Sequence, residues 1–575
     1  MQALIEKSQR ASTDRAEDIM QALSAEQRLQ STALFDALAA ALAQNSEQLN
    51  EIQQRYYQCH LELWKRTVAR TEQNAAAEPV VTPEKTDRRF QAPEWQQLPF
   101  FDYLKQAYLL NARWLNEIVE AAPLEAAAKH KLRFFTRQLT DAAAPANFPA
   151  TNPEVLKLAQ QTNGESLLRG LDNLNADLKK GRITMTDEAA FEVGRNLAIT
   201  PGAVVFENDL MQLIQYAPLT ETVHEKPLMI VPPCINKYYI LDLQPENSFV
   251  RYAVAQGHTV FMVSWRNTPA EMGHVTWDEY LERGVIRAID AACEICGVDR
   301  LNLIGFCIGG TLLAPALAVL KARGRDPAAS MTLLTAMLDF SDVGDLAVFV
   351  DEAYVKKREQ DFAQGGVLNG RELALTFSSL RANELIWNYV VNNYLKGQHP
   401  DAFDLLYWNS DSTNLPGAMY VYYLRNTYLE NNLRVPGRLT MCGVPIDLST
   451  VTAPTYVLAA REDHIVPWKT AYQSTQLLGG PCEFVLTASG HIAGVVNPAS
   501  KNKRHFWTNA ALPAAADQWF SGAAQHPGSW WTHWSQWLVK FGGARVAART
   551  PGTTQYPALE PAPGRYVKER IRENA

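Results

Sequence analysis

The sequence predicts an all-helical N-terminal segment followed by an α/β domain, and three observations support that expectation. Apolar residues recur at three-, four- and seven-residue spacings up to about residue 181. Beyond Gly194 short strand-like runs alternate with helical stretches, the grammar of a mostly parallel sheet covered on both faces. Between one such run and one such helix stands Gly305-Phe306-Cys307-Ile308-Gly309-Gly310. The expected domains are therefore 1–193, helical, and 194–575, α/β.

The helical part rests on two stripes: Leu34, Leu38, Leu42, Leu49 and Ile52, then Phe101, Leu104, Tyr108, Leu115 and Ile118. Residues so spaced line one helix face, which suits packing within a helical domain, with a membrane or partner surface the alternative. The proline-bearing, mixed-charge stretch 75–92 reads as an exposed linker or mobile loop. In the second part, 203–206 and 210–216 suggest a hairpin, and further strands are expected at 228–231, 259–264, 301–304, 331–337, 455–459 and 484–486. Helices are expected at 248–255 and 277–296. The aromatic-rich segment at about 339–438 breaks the alternation and reads as an inserted cap or lid, with an enlarged structural insertion the alternative. Trp530, Trp534 and Trp537 share a helical face that suits core packing, and the proline-rich tail from Thr550 should be extended.

At the hexapeptide the chain turns sharply from strand to helix with Cys307 at the corner. This is the nucleophile elbow of an α/β-hydrolase fold, with sulfur in place of oxygen. Glycine suits 305 and 309 because strand and helix come so close that a Cβ would clash. A thiol there forms an acyl-enzyme at thioester level, which suits acyl transfer. In this fold the chain order is nucleophile, acid, histidine, the last two on loops after late strands. The run 455–459 leads to Asp463 and 484–486 leads to His491, so Asp463 is the candidate acid and His491 the candidate base. His464 is out of order for the base, while Asp339, after the strand that follows the elbow helix, is a rival acid. The oxyanion hole should use the N–H of Ile308 and one from the loop after 228–231. Ile235 is the candidate there, because Pro232 and Pro233 have no N–H.

Bulk properties narrow the partners. The 54 Lys and Arg against 61 Asp and Glu leave a net charge of −7 with no basic block, which argues against nucleic acid. Seven scattered cysteines predict free thiols and a cytoplasmic setting, with Cys293 and Cys296 read as two buried helix thiols. The uncharged run 301–320 reads as strand plus helix rather than a membrane span, and the first residues lack the order of a secretion signal. No phosphate-binding loop, dinucleotide fingerprint or His-Glu-x-x-His occurs, so no metal or nucleotide cofactor is expected.

Several separate stretches resemble the polyhydroxyalkanoate synthases: VPPCINKYYILDL at 231–243, VSWRN at 263–267, GFCIGG at 305–310, WN at 408–409 with TNLP at 413–416, REDHIVPW at 461–468 and SGHIAGV at 489–495. The long helical N-terminal region resembles single-subunit types, and the motif wording resembles class I, which favours short-chain monomers. The resemblance implies that Cys307 attacks an (R)-3-hydroxyacyl-CoA and releases CoA. The 3-hydroxyl of another acyl unit then attacks the acyl-cysteine, with His491 as base and Asp463 in support. It also implies a homodimer on a cytoplasmic polyester granule, with the N-terminal helices facing granule, partner subunit or granule-coating proteins. CoA enters only as part of the substrate. The alternative is a cysteine-dependent thioesterase or polyester depolymerase, in which water accepts the acyl group.

Overall fold

The computed structural model describes residue 38 and residues 46–73 and 78–571, so Leu34 and Leu42 of the first stripe lie outside the described residues. The chain divides into two compact units, Met1–Thr184 with Arg381–Pro400, and Met185–Leu380 with Asp401–Ala575.

The first unit is helical: α1 Ser46–Gln73, α2 Pro99–Ala121, α3 Ala126–Ala142, α4 Pro153–Gln161 and α5 Glu165–Lys180. Local signals set the ends. Pro99 opens α2, the Asn152 side chain accepts from the N–H groups of Glu154 and Val155 to cap α4, and Gly181 closes α5 at φ 75°. The described part of the expected linker is not a free loop. Val81 enters a small core with Leu63 and Leu110, and Phe90 meets Trp95 edge-on at 5.0 Å. Two large apolar residues in a polar stretch find partners that a reading of average composition overlooks.

Arg381–Pro400 falls within the segment expected to be a cap, yet it belongs to this helical unit. The carbonyl of Tyr394 lies 2.0 Å from where a Cβ on Gly170 would be, so only glycine admits that approach. Tyr394 also donates its hydroxyl to Asp177 at 2.7 Å.

The second unit is built on an eleven-stranded mixed sheet. Its strands are β1 Gly202–Glu207, β2 Met211–Tyr216, β3 Leu228–Val231, β4 Val260–Trp265, β5 Leu301–Phe306, β6 Ala328–Leu334, β7 Thr455–Ala460, β8 Cys482–Thr487, β9 His505–Thr508, β10 Ala524–Pro527 and β11 Glu560–Pro561. The order is β10-β9-β8-β7-β6-β5-β3-β4-β2-β1-β11. The block β4-β3-β5-β6-β7-β8 is parallel, with antiparallel strands at both edges. This is the arrangement of an α/β-hydrolase sheet. β6 ends three residues earlier than expected, because Thr335 takes φ 40° and leaves the sheet. The short edge strands β9, β10 and β11 were not foreseen, since each has too few residues to show a period, and β11 pairs with the distant β1.

Around the sheet lie α6 Phe249–Ala255, α7 Arg287–Cys296, α8 Ile308–Ala322, α9 His491–Val495 and α10 Trp530–Val539. The helix expected at 277–296 runs through a π-helical stretch, Tyr280–Ile286, before α7. Trp530, Trp534 and Trp537 are buried, as the helical face predicts, and Trp531, off that face, is buried as well. Cys293 and Cys296 are only partly buried in α7.

Candidate active site

Cys307 sits between β5 and α8 with φ 53° and ψ −128°, a backbone conformation that an L-residue holds only under constraint. The constraint is visible. A Cβ on Gly305 would come within 2.4 Å of Gly310 Cα, and one on Gly309 within 2.2 Å of the Val231 carbonyl oxygen. Cys307 N–H donates to Leu334 O of β6 at 2.9 Å, and Gly310 N–H to Cys307 O at 2.8 Å. Strand, turn and helix are thus locked together around a partly exposed thiol.

Asp463 follows β7 and His491 opens α9 just after β8, and the parallel register sets these two strand ends side by side. His491 Nδ1 lies 2.7 Å from Asp463 Oδ2, while Asp463 Oδ1 accepts from the N–H groups of Ile465 and Val466 at 2.8 and 2.9 Å. Both side chains are buried, at 6% and 0% exposure. Burial pulls the His491 pKa down. The charges of Asp463 and Cys307, and hydrogen bonds with both, outweigh it and lift the pKa to about 10. Cys307 and Asp463 therefore flank the same imidazole.

The tryptophan helix helps to hold that imidazole in place. Trp530 and Trp531 donate their indole N–H groups to carbonyls at the end of α9, at 3.0 Å to Gly494 and 2.9 Å to Val495. Phe306, next to Cys307, stacks on the His491 ring with centroids 5.8 Å apart.

The loop after β3 is fixed by a buried network that sequence reading missed. Lys237 Nζ is 2.7 Å from Asp411 Oδ1, Tyr239 donates its hydroxyl to Asp411 Oδ2 at 3.0 Å, and Trp408 Nε1 donates to Lys237 O at 2.7 Å. Lys237 and Asp411 are 3% and 5% exposed. Thr413 Oγ1 donates to the carbonyls of Cys234 and Ile235 at 2.8 and 2.7 Å. The partners stand more than 170 residues apart, and the signal available was that both segments carry recognisable motifs.

Around the sulfur lie further groups that were not singled out. Burial, together with the Cys307 charge, raises the Tyr428 and Cys234 pKa values, and burial, Tyr428 and Cys307 raise that of Tyr423. Phe340 packs edge-on against both tyrosines, at 6.2 and 5.1 Å. Tyr423 and Tyr428 come from the inserted segment, in its Gly417–Tyr423 and Leu424–Leu429 helical turns.

The rival acid Asp339 is engaged elsewhere, accepting from Asn431 Nδ2 and pairing with Arg434 Nη1, both at 2.9 Å. His491, not the neighbouring His464, is the histidine bonded to Asp463. Ile308 opens α8 beside Cys307, and Ile235 lies in the braced loop, its carbonyl turned to Thr413. Among the described residues no cluster of three or more His, Cys, Asp or Glu could hold a metal ion, and no helix is long and apolar enough to cross a membrane.

Comparison with known proteins agrees with this architecture. A family model described as the poly-beta-hydroxybutyrate polymerase (PhaC) N-terminus matches residues 86–253, and one for the alpha/beta hydrolase fold matches 227–498. The chain is 54% identical over 542 residues to the poly(3-hydroxyalkanoate) polymerase subunit PhaC of Cupriavidus necator, covering 93% of this chain and 91% of that protein. It is 44% identical to the poly(3-hydroxyalkanoate) polymerase of Methylorubrum extorquens, covering 93% and 89%. Against poly(3-hydroxyalkanoate) polymerase 1 of Ectopseudomonas oleovorans it is 40% identical, covering 85% and 88%. With a thiol elbow, its paired Asp463 and His491, and relatives matched over nearly their whole length, the chain belongs to the poly(3-hydroxyalkanoate) polymerase family of acyltransferases.

Proposed function

We propose that this protein polymerises (R)-3-hydroxyacyl-CoA, with 3-hydroxybutyryl-CoA the preferred size, through an acyl-cysteine at Cys307. The observation that carries the catalytic assignment is the 2.7 Å His491–Asp463 contact on an imidazole whose other charged neighbour is Cys307. The Cys307 sulfur, its proton taken by His491, attacks the thioester carbonyl. The N–H groups of Ile308 and Ile235 receive the oxyanion, and the CoA sulfur leaves with the proton from His491. The acyl-cysteine is neutral, so one of the charges that raises the His491 pKa is gone. His491 is then a base suited to take the proton of an incoming 3-hydroxyl, whose oxygen attacks the acyl carbon. The new ester forms, the C–S bond breaks and the Cys307 sulfur is released.

Thioester exchange onto sulfur is near balance, and transfer to the alcohol runs downhill. Water must be kept from the acyl-cysteine, and Tyr423, Tyr428 and Phe340 form an aromatic wall suited to that task. These steps use only side chains and backbone of the chain, and CoA enters as substrate and leaves as product. In this reading the protein acts as a cytoplasmic, granule-associated homodimer. Its helical unit meets the granule, the partner subunit or granule-coating proteins.

Incubation with 3-hydroxybutyryl-CoA tests the reading: CoA release should accompany insoluble polymer. CoA release with only free 3-hydroxybutyrate would instead establish a thioesterase. Replacing His491 by Gln should slow turnover at least about 100-fold, and near-normal turnover would move the base to His464.

A further inference from the structure

We propose that Thr413 is a positioning residue of the oxyanion hole: its hydroxyl holds the peptide between Cys234 and Ile235 so that the Ile235 N–H faces the thioester oxygen. This role rests on the acyl-cysteine reading above and deepens it, naming what aims one of its two oxyanion donors.

A backbone donor on a loop is aimed by whatever holds its peptide plane. The Ile235 N–H and the Cys234 carbonyl belong to one trans peptide, in which the two groups point to opposite sides of the chain. Fixing that carbonyl therefore fixes the direction of the N–H. Thr413 Oγ1 lies 2.8 Å from Cys234 O and 2.7 Å from Ile235 O, and the Thr413 N–H donates to Ile235 O at 3.3 Å. The Ile235 carbonyl thus has a backbone donor besides the hydroxyl, whereas the Cys234 carbonyl has the hydroxyl alone among the described residues. The Ile235 N–H forms no hydrogen bond among the described residues, which leaves it free for a substrate oxygen.

The rest of the loop is anchored independently, so this peptide is the part left for Thr413 to set. At the near end Trp265 Nε1 donates to Pro232 O at 2.9 Å, and a Cβ on Gly309 of α8 would come within 2.8 Å of that same oxygen. The loop therefore starts against the turn that carries Cys307 and Ile308. At the far end Lys237 Nζ meets Asp411 and Trp408 Nε1 meets Lys237 O, both at 2.7 Å. Between these anchors every backbone hydrogen bond of Cys234 and Ile235 among the described residues comes from Thr413.

Thr413 is itself firmly placed. It is 2% exposed, and a Cβ on Gly370 would come within 2.3 Å of its carbonyl oxygen. The next residue, Asn414, donates its N–H to Asn267 Oδ1 at 2.9 Å and accepts at Oδ1 from the Gly370 N–H at 3.1 Å. A donor peptide held by so fixed a hydroxyl needs no reorganisation as the oxyanion forms, the condition under which such a donor is most effective. A hydrogen bond at Cys234 O also polarises the peptide and strengthens its N–H.

The test uses the full-length protein, 3-hydroxybutyryl-CoA and two variants: Thr413→Val, which keeps the shape and removes the hydroxyl, and Thr413→Ser, which keeps the hydroxyl. Thr413→Val should slow first-turnover CoA release about 10- to 100-fold, with KM changed less than about 2-fold, and Thr413→Ser should retain most of the rate. Alkylation of Cys307 by iodoacetamide, followed by mass spectrometry of its peptide, is the control. There the sulfur displaces iodide without forming an oxyanion, so the alkylation rate should be the same in all three proteins. Equal slowing of alkylation and acylation by Thr413→Val would mean that the hydroxyl serves general packing, and would overturn the proposal. Normal acylation would overturn it too. Should Thr413→Val not fold, Thr413→Ala makes the same comparison, with a loss of at least about 5-fold expected. Failure of the acyl-cysteine reading has a separate signature: unsubstituted protein that still releases CoA after Cys307 is alkylated.

Discussion

The sheet unit and the helical unit spend their apolar residues differently. In the sheet unit the largest side chains are enclosed: Trp277, Trp519, Trp530 and Trp534 have at most 2% exposure, and their neighbours are other parts of the same unit. In the helical unit, α5 leaves Leu167, Leu168, Leu171 and Leu178 38%, 55%, 47% and 58% exposed, and α1 leaves Leu61 and Trp64 55% and 58% exposed. The same unit buries Lys105 to 4%, its ammonium held 2.8 Å from Asp102 and 2.9 Å from the Trp95 carbonyl. A helix stripe is therefore a weaker guide to burial than a buried strand. A helix can turn part of its apolar face outward, whereas a central strand is covered on both sides.

Four experiments break or sharpen that comparison. The largest effect belongs to the sheet unit: Cys307→Ala should lower polymer formation by about 10⁴-fold or more, read in a host with no other synthase, with circular dichroism unchanged. Unchanged polymer yield would remove the nucleophile from the scheme. Next is the buried pair. Lys237→Met leaves Asp411 enclosed without its cation and should cost about 3–5 kcal/mol in urea unfolding. Lys237→Met with Asp411→Leu should recover much of it, and a loss below about 1 kcal/mol for the single change would mean the network is not holding the loop.

The third concerns protons. The Cys307 charge is one of the influences holding the His491 pKa near 10, so its removal must lower that pKa. Imidazole resonances followed by NMR should titrate about one unit lower in Cys307→Ala. An unchanged midpoint would show that Asp463 acts alone. The smallest effects belong to the helical unit. Leu168→Ser, Leu171→Ser and Leu178→Ser should each change stability by no more than about 0.5 kcal/mol and leave CoA release from soluble substrate intact. Their adsorption to polyester particles should fall. A large stability loss would mean these side chains are structural, and the contrast between the units would fail.

The placing of Cys307, Asp463 and His491 was legible because each of them sits in a local motif. Gly305 and Gly309 bracket Cys307, and Asp463 and His491 follow strands of the expected type in the expected order. Motif spacing reports a turn well, since clashes there involve atoms a few residues apart. Contacts between distant segments were not legible for the opposite reason. The pairing of Lys237 with Asp411, the packing of Phe340 on Tyr423 and Tyr428, and the hold of Trp530 and Trp531 on α9 each join positions far apart in the chain.

By itself the sequence determined the elbow, the identity and order of Cys307, Asp463 and His491, and the alternation that makes a parallel sheet. Short-range sterics and periodic burial are written in neighbouring residues. Only the tertiary structure decided that Arg381–Pro400 belongs with the helices, that Val81 and Phe90 anchor a stretch of linker-like composition, and that Trp530 and Trp531 bond to the end of α9. Those outcomes depend on which surfaces meet once the chain is compact, and burial free energy rewards a contact without regard to its distance along the sequence.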